Sequence, residues 1–388
     1  GDDFLVGGSG NDTLDGGLGL DTVDYSSAPN AIDINLQTGV VADDGNLSVD
    51  TVVAVENVIG TVGDDVIVGS TDANVIDAGS GDDSLTATEG TDTFDGGAGS
   101  DTLDYSGLTG VTGVDVTLNG PTAVNVTVGG GDNDSIVNIE NLVGSSGDDT
   151  LGGDLNDNRF EGLAGADRFI ASDGADTFIG GTGLDTLDYS SFFAAGSIAV
   201  TLQGDTQSTV VVAGTDNDTV AGVENVVGTT GDDTIIGDDQ DNILEGGAGD
   251  DTLDGGLGTD SLIGGAGDDT ITASVGADNT DGGAGVDTVD FSTLTGGQSI
   301  DVTLDQTNVT TVVVNNGTNQ TITAVENIVG TVEDDRIEGD TAENNLQASG
   351  GDDVLIASAS SDVMDGGSGV DTVDYSTLAG ISRITATL

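Results

Sequence analysis

The residues of this chain that could do chemistry are carboxylates, and they recur at a fixed interval. From Gly246 to Thr272 the sequence reads GGAGDDTLD, GGLGTDSLI and GGAGDDTIT, three nonapeptides of the form Gly-Gly-x-Gly-x-Asp-x-apolar-x. In each of them a glycine-rich turn, free to adopt positive φ, leads directly to an aspartate. Carboxylates beside exposed turn carbonyls are hard oxygen donors. The chemistry that this pattern favours is the binding of divalent cations.

Other chemistry finds few suitable residues in this sequence. Histidine, cysteine, lysine and tryptophan are absent, which removes Ser-His-Asp and Cys-His catalysis and the lysines of Schiff bases and phosphate loops. Paired carboxylates suited to glycoside hydrolysis could be drawn almost anywhere in so acidic a chain, so they indicate nothing. We therefore predict that this chain carries no catalytic site and is not an enzyme.

The charge of the chain also points to cations. Its 388 residues carry 71 acidic side chains against four arginines, a formal net charge of −67. Repulsion at this density would hold the chain open, yet 35% of the residues are hydrophobic and regularly placed. Bound divalent cations reconcile the two observations. The acidity argues against nucleic acid as a partner, and no apolar run is long enough for membrane insertion.

The nonapeptides indicate a stacked architecture, because nine residues are too few to form a domain. The last three residues of each unit point one apolar side chain inward, as in a short strand, so two nonapeptides make a coil of eighteen residues. A glutamate precedes each of the longer runs of repeats. These residues, Glu56, Glu140, Glu224 and Glu326, are separated by 84, 84 and 102 residues. The odd interval exceeds the others by one coil, which supports the eighteen-residue period.

Segments rich in Val, Ile and Thr separate the runs. We expect them to continue as wider rungs of parallel β-structure, with a small β excursion from the roll as the alternative. The predicted runs are 1–26 (partial), 56–106, 140–190, 224–292 (one extra coil) and 326–376, and the predicted spacers are 27–55, 107–139, 191–223, 293–325 and, as the start of another, 377–388. Because the chain starts without Met and in mid-repeat, we expect it to be a fragment of something longer.

The repeat resembles that of the RTX (repeats-in-toxin) family of calcium-binding β-rolls. The resemblance covers nearly the whole chain and implies an all-β fold: a calcium-stabilised parallel β-roll or β-solenoid of about 18 residues per coil, with wider β spacer rungs. It also implies that multiple Ca²⁺ ions bind between turns two nonapeptides apart. The implied ligands are the sixth-position residues Asp3, Asp12, Asp21, Asp65, Asp83, Asp101, Asp149, Asp167, Asp185, Asp233, Asp251, Asp260, Asp269, Asp287, Asp335, Asp353 and Asp371, with the turn glycines Gly7, Gly16, Gly96, Gly180, Gly246, Gly255, Gly264, Gly282 and Gly366.

Some repeats depart from the pattern. The turns at Asp92, Asp176, Asp278 and Asp362 have lost the paired glycines, so ligation and a structural role are equally open for them. Asparagine at Asn74, Asn158, Asn242 and Asn344 favours uncharged ladders over ligation. An aromatic residue lies two positions before each predicted spacer, and packing is favoured for it over the stacking of a carbohydrate. These residues are Tyr25, Tyr105, Tyr189, Phe291 and Tyr375.

The sequence therefore predicts a calcium-dependent structural or adhesive segment of a large secreted bacterial protein, such as a stalk, surface-layer or filament component. It would lie outside the cell, associated with the cell surface, and fold when Ca²⁺ binds after secretion. Its partners would be calcium and either copies of itself or cell-surface components. The alternative is the calcium-binding tail of a secreted enzyme or toxin.

Overall fold

The computed structural model describes residues 1–192, 196–214, 217–305, 308–315 and 317–378. In these ranges the chain forms short β-strands joined by turns, and no helix there is long and apolar enough to cross a membrane. The strands fall into two compact units, Gly1–Asp188 with Thr215–Val223 and Tyr189–Gly214 with Glu224–Leu388. The further spacer predicted at 377–388 lies outside the described residues from position 379 onward.

The first unit contains strands of two to six residues. In chain order they are β1 (Phe4–Leu5), β2 (Thr13–Asp15), β3 (Thr22–Asp24), β4 (Ile32–Asn35), β5 (Val40–Asp44), β6 (Asp50–Val53), β7 (Asn57–Ile59), β8 (Val66–Val68), β9 (Val75–Asp77), β10 (Ser84–Thr86), β11 (Thr93–Asp95), β12 (Thr102–Asp104), β13 (Val114–Thr117), β14 (Val124–Val128), β15 (Asp134–Val137), β16 (Asn141–Val143), β17 (Thr150–Gly152), β18 (Arg159–Ala164), β19 (Arg168–Ile170), β20 (Thr177–Thr182) and β21 (Thr186–Asp188).

The second unit contains the later strands, except that β24 belongs to the first unit. They are β22 (Ile198–Thr201), β23 (Ser208–Val212), β24 (Asp218–Ala221), β25 (Asn225–Val227), β26 (Thr234–Ile236), β27 (Ile243–Ala248), β28 (Thr252–Asp254), β29 (Leu257–Gly258), β30 (Ser261–Ala266), β31 (Thr270–Thr272), β32 (Val275–Gly276), β33 (Asn279–Ala284), β34 (Thr288–Asp290), β35 (Ser299–Thr303), β36 (Thr310–Asn315), β37 (Gln320–Thr323), β38 (Asn327–Val329), β39 (Arg336–Glu338), β40 (Asn345–Gln347), β41 (Val354–Ile356), β42 (Val363–Asp365) and β43 (Thr372–Asp374).

Strands of alternate nonapeptides pair in parallel, one coil apart. In the first unit Leu85 of β10 lies opposite Ile67 of β8 and Leu103 of β12. In the second unit Leu262 of β30 lies opposite Leu244 of β27 and Thr280 of β33. Each of these steps is eighteen residues. The predicted all-β parallel roll with an eighteen-residue coil is therefore confirmed.

The core of each unit is the inward file of apolar side chains that the strands share. Ile67, Leu85 and Leu103 are fully buried in the first unit, as is Leu262 in the second. Burying a side chain of this size stabilises the fold by roughly 1.5–3 kcal/mol. Thr280, where the apolar pattern breaks, is also buried. Because every inward position has a neighbour one coil away, the apolar file fixes the register and holds the turns in a row.

The spacers are three-stranded meanders inserted into the ladders. In the first spacer, β4 and β6 run parallel to the roll strands β8 and β2, and β5 runs antiparallel between them. Strands β13, β14 and β15 repeat this arrangement between β17 and β11. In the second unit β35, β36 and β37 do so between β39 and β33. The outer strands extend the parallel ladders, while the middle strand makes an excursion from them.

Candidate metal centre

The sixth-position aspartates form a hydrogen-bonded ladder along the edges of the roll. The backbone N–H of Asp233 donates to Oδ1 of Asp251 at 2.8 Å, and the N–H of Asp251 donates to Oδ1 of Asp269 at 2.8 Å. The same bond joins Asp83 to Asp101 in the first unit. One carboxylate oxygen is thus used to connect two coils. The other, Oδ2, points into the turn that the aspartate closes.

The backbone conformation at the second of the six turn residues determines the surroundings of Oδ2. In one class, which we call open turns, that residue has positive φ, as at Gly97 (94°), Gly247 (113°) and Gly265 (117°). Leu163 and Ser349 adopt the same conformation, with φ of 75° and 73°, although it is unfavourable for residues that have a side chain. Glycine at the second position of the pair therefore favours this turn, although Leu163 and Ser349 show that it is not required.

Most of the aspartates that close open turns have one carboxylate oxygen without a hydrogen-bond partner among the described residues. In the described part of the chain, Oδ2 is buried and has no hydrogen-bond partner at Asp12, Asp21, Asp83, Asp101, Asp167, Asp251, Asp260, Asp269, Asp287 and Asp353. Asp185 also closes an open turn, and its Oδ1 accepts a bond from the N–H of Asp167. A buried carboxylate oxygen without a partner is costly, so a regular row of them indicates a missing positive ligand.

The first glycine of the turn keeps a space open beside this oxygen. A side chain on Gly246 would begin 2.3 Å from Oδ2 of Asp251 and 2.7 Å from the carbonyl oxygen of Gly264, one coil later. On Gly264 it would begin 2.3 Å from Oδ2 of Asp269 and 2.5 Å from the carbonyl oxygen of Gly282. We call each of these spaces a cradle. A cradle is bordered by a carboxylate of one coil and a backbone carbonyl of the next.

The same contact with the aspartate recurs at the other predicted glycines. A Cβ atom on these glycines would lie close to Oδ2 of the aspartate in the same turn. The distance would be 3.5 Å at Gly7 and 2.2–2.7 Å at Gly16, Gly96, Gly180, Gly255, Gly282 and Gly366. The predicted glycines thus lie where their absent side chains leave the carboxylate accessible.

Burial without a counter-ion raises the pKa of these carboxyls. Loss of solvation, only partly offset by the backbone hydrogen bond, raises the pKa of Asp83, Asp167, Asp251 and Asp260 to about 7. Neighbouring carboxylates on the same edge add to the effect, as Asp233 and Asp269 do for Asp251. A cation that favours the charged form is the ligand that would reverse these shifts.

Four predicted ligands have a different surrounding. At Asp65, Oδ2 accepts the backbone N–H of Thr61 at 2.6 Å, and Oδ1 accepts the Thr61 hydroxyl at 2.9 Å and the N–H of Ile32 at 2.7 Å. The same donors, from a Ser or Thr and from a spacer strand, serve Asp149, Asp233 and Asp335. We call these closed turns. Their carboxylates are satisfied by the protein, so ligation by them stays a prediction that the geometry does not favour.

The turns that depart from the pattern are also mostly closed by the protein. The Ser172 hydroxyl donates to Oδ2 of Asp176 at 2.8 Å, and the Ser358 hydroxyl donates to Oδ2 of Asp362 at 2.7 Å. At Asn74 the side-chain oxygen accepts the N–H of Ser70, while its amide donates to a carbonyl one coil earlier. These amides connect neighbouring turns rather than stack on one another.

The remaining predicted ligands lie at the ends of the ladder. Asp3 and Asp371 are exposed. The N–H of Asp3 donates to Oδ1 of Asp21 at 2.6 Å, and Oδ1 of Asp371 accepts the N–H of Asp353 at 3.2 Å. Each therefore has the ladder bond on one side, with water on the other.

Two groups of residues were missed by the sequence reasoning. Asp50 and Asp134, in the last strand of a spacer, take the ladder position after Asp12 and Asp92. The second group supplies carbonyls. Ala54, Asn138 and Ala324 have φ of 50°, 52° and 49°, and their carbonyl oxygens lie 2.3, 2.1 and 2.1 Å from where side chains would begin on Gly16, Gly96 and Gly282. Each lies two residues before a glutamate that begins a run, Glu56, Glu140 or Glu326, and this constant spacing could have identified them.

The donor set fits a hard cation of flexible coordination. Each cradle offers carboxylate and carbonyl oxygens only, which is what Ca²⁺ takes in proteins. No group of three or more carboxylates that could hold a metal comes together within the described residues. Backbone carbonyls therefore have to supply much of any coordination shell. Glycine-rich turns, which leave carbonyls uncovered, are suited to this.

Known proteins share the repeat. A family model described as RTX calcium-binding nonapeptide repeat (4 copies) matches residues 1–27, 59–94, 68–103, 138–167, 152–187, 218–253, 227–262, 254–289 and 338–373, more than half of the chain. No curated protein matches this chain. The crystal structure of the extracellular lipase LipA from Serratia marcescens is similar over 48% of this chain and 38% of its own, at 15% identity and a TM-score of 0.19. The chain thus spans well under half of that lipase's length, and so low a TM-score carries no argument.

Proposed function

The chain belongs to the family of RTX calcium-binding nonapeptide repeats, and we propose that it is a calcium-dependent structural or adhesive segment of a secreted bacterial protein. In this role it forms part of a stalk, surface layer or filament outside the cell. Its partners are then calcium and either further copies of itself or components of the cell surface.

The observation that carries this proposal is the file of buried carboxylate oxygens without a partner. At Asp251, Asp260 and Asp269 the described structure offers Oδ2 no hydrogen bond, while the formal charge of the chain is −67. A metal-free roll would hold these like charges in a dry edge, where they are least tolerable. We infer that at neutral pH the roll forms only when cations occupy the open turns.

The residues that would hold Ca²⁺ are the carboxylates of the open turns together with turn carbonyls of the next coil. For Asp251 the neighbouring carbonyl is that of Gly264, and for Asp269 it is that of Gly282. Bound Ca²⁺ supplies positive charge that neutralises these carboxylates and joins consecutive coils. Binding free energy then becomes folding free energy, because the site does not exist in the open chain.

This coupling suits a protein that folds outside the cell. Calcium sites of extracellular modules typically fill at roughly 0.1–1 mM. Below that concentration repulsion keeps the chain expanded, which is the state needed to pass a secretion channel. Because each coil contacts only its neighbours and shares ligands with them, folding is expected to spread cooperatively along the roll.

A calcium titration followed by far-UV circular dichroism tests the proposal, with Mg²⁺ as the control cation. We expect a cooperative change from coil to β-structure at about 0.1–1 mM Ca²⁺ and none with Mg²⁺. A β-spectrum that persists in excess EDTA would contradict the proposal. Stability would then come from the apolar file alone.

A further inference from the structure

The aspartate that opens the last strand of a spacer occupies a position in the carboxylate ladder. Asp50 is 1% exposed, and its Oδ1 accepts the N–H of Asp12 at 2.8 Å. Asp134 is 3% exposed, and its Oδ1 accepts the N–H of Asp92 at 2.9 Å. Each therefore replaces the nonapeptide aspartate that the next coil would have supplied. We call these places the first and second junctions.

At the first junction two carboxylates and a phenol surround a glycine. A side chain on Gly7 would begin 2.9 Å from Oδ2 of Asp50 and 3.5 Å from Oδ2 of Asp12. The hydroxyl of Tyr25 donates to Oδ2 of Asp50 at 3.3 Å. Oδ2 of Asp12 is buried and lacks a hydrogen-bond partner among the described residues. Two negative groups thus border one space, and only one of them is satisfied by the protein.

The second junction combines the same residue types in a drier setting, although the first position of its turn is Ala87 instead of a glycine. Asp92 is 1% exposed, and the fully buried hydroxyl of Tyr105 interacts with the Asp134 carboxylate. Burial, together with the Asp134 carboxylate beside that hydroxyl, raises the pKa of Tyr105 well above its usual range. The arginines in the described residues pair with other carboxylates. Two buried carboxylates, Asp92 and Asp134, therefore meet at this junction with no arginine of the described residues to pair with them.

A later spacer shows how a junction looks when the spacer itself brings no carboxylate. There Gln320 opens the last strand, and Phe291 stands where the other two junctions have tyrosine. The side-chain amide of Gln320 donates to the carbonyl oxygen of Ser274 at 2.6 Å, and Phe291 is fully buried. Carboxylate and hydroxyl are thus replaced together by an amide and a hydrocarbon. Because the Gln320 amide donates a hydrogen bond to this carbonyl oxygen, the oxygen is less available to coordinate a cation.

Resting on the proposed calcium binding, we propose that Asp50 and Asp134 are additional cation ligands. Each shares an ion with the sixth-position carboxylate one coil earlier, Asp12 or Asp92, and has a tyrosine hydroxyl beside it. The junction at Gln320 closes without an ion. The spacers therefore contribute cation sites of their own at the points where they rejoin the roll, and the sequence of each spacer sets whether its site exists.

Terbium luminescence separates these sites from the ordinary turns. The protein has four tyrosines and no tryptophan, so emission of bound Tb³⁺ excited through tyrosine reports only ions near a tyrosine, and two of the four, Tyr25 and Tyr105, lie at the junctions. We expect Asp134→Asn in the full chain to lose one bound Ca²⁺ per molecule. It should also lose as much tyrosine-sensitised Tb³⁺ emission as Tyr105→Phe loses. The asparagine keeps the Oδ1 acceptor for the N–H of Asp92, which preserves the ladder.

Introducing a junction carboxylate and tyrosine into the later spacer should increase the number of bound ions, which misfolding would not do. We expect Gln320→Asp with Phe291→Tyr to bind one more Ca²⁺ and to add tyrosine-sensitised emission. If Asp134→Asn keeps the full ion count and emission while the exchanged variant gains neither, the junctions are held by protons instead and the proposal is wrong. The circular dichroism titration of the unaltered protein reports separately on calcium-coupled folding, so failure of one proposal is distinguishable from failure of the other.

Discussion

The backbone N–H of Asp251 donates a hydrogen bond to Oδ1 of Asp269 at 2.8 Å, across one eighteen-residue coil. Oδ2 of both residues is left without a hydrogen-bond partner in the described structure. The bond that stacks the coils therefore also aligns a row of carboxylates that repel one another. Stacking and cation binding cannot be separated in such an edge, because the same side chain carries out both.

We expect Asp251→Asn to have opposite effects with and without calcium. The amide keeps an acceptor for the ladder but removes a buried charge. In EDTA the melting temperature of the variant should fall less between about pH 4 and 7 than that of the unaltered protein, since an unpaired buried carboxylate is lost. In saturating Ca²⁺ it should lose on the order of 3 kcal/mol, because a cation is left with one charged ligand fewer. Thermal melts in both conditions, with a count of bound ions, measure this.

The neighbouring residue provides the control. Asp250 is exposed, and its Oδ1 accepts the N–H of Asp268 in a second, outer ladder. Asp250→Asn removes the same charge from the same turn, and we expect the ion count to stay unchanged. Equal effects of the two substitutions would show that net charge, rather than ligation at the sixth position, determines calcium dependence.

We expect Gly246→Ala to weaken calcium binding through the space that it fills. The new methyl group would lie 2.3 Å from Oδ2 of Asp251 and 2.7 Å from the carbonyl oxygen of Gly264, so at least one of these oxygens has to move. Overpacking of this kind costs about 1–3 kcal/mol. The calcium midpoint in circular dichroism should rise accordingly. Gly107→Ala is the control, since a side chain there has no atom within 4 Å; a midpoint that moves equally in both variants would contradict the prediction.

Much of the fold could be predicted because two periodic signals agree. The interval from Glu224 to Glu326 exceeds the other two by eighteen residues, and the register of Leu85 opposite Leu103 has that same step. The middle strand of each spacer could not be predicted. Alternation of apolar and polar residues is the same in parallel and antiparallel strands, so the pattern of β5 does not determine its direction.

The site was less predictable than the fold, for two physical reasons. Whether a turn is open depends on the φ of its second residue, and Leu163 adopts a positive φ that its side chain disfavours. The sequence also gives no spacing for ladder members that lie beyond a spacer. Asp12 bonds to Asp50, 38 residues later, and Asp92 bonds to Asp134, 42 residues later. Neither interval is a multiple of nine, because the meander determines which residue returns to the edge.

We expect the metal-free roll to be more stable in acid than at neutral pH. Burial raises the pKa of Asp83, Asp167 and Asp251 from 3.8 to about 7. The folded state therefore binds more protons than the unfolded chain between these values. Its stability is greatest below about pH 4 and is lost as the pH rises towards 7. Melting temperatures in EDTA should fall steadily across that window.

Calcium should change the sign of this dependence. Ligands must be deprotonated to bind, so calcium affinity increases as the pH rises through the same window and binding releases protons. Melting temperatures in saturating Ca²⁺ should therefore increase or level off from pH 5 to 7. A roll whose metal-free melting temperature rises over this range would contradict the raised pKa values of the buried aspartates.

The closed turns should contribute stability that calcium does not affect. The Thr229 hydroxyl lies 2.8 Å from the carbonyl oxygen of Gly196 and 3.0 Å from Oδ1 of Asp233, either of which can accept its proton, and it accepts the N–H of Gly231 at 3.0 Å. Thr229→Ala removes both bonds from a buried site, and we expect a loss of about 1–3 kcal/mol. The loss should be the same at half-saturating and saturating Ca²⁺. Thr230→Ala, an exposed neighbour, is the matched control and should change little. If the loss from Thr229→Ala instead grew with calcium concentration, Asp233 would be a calcium ligand, and its turn would belong with the open class.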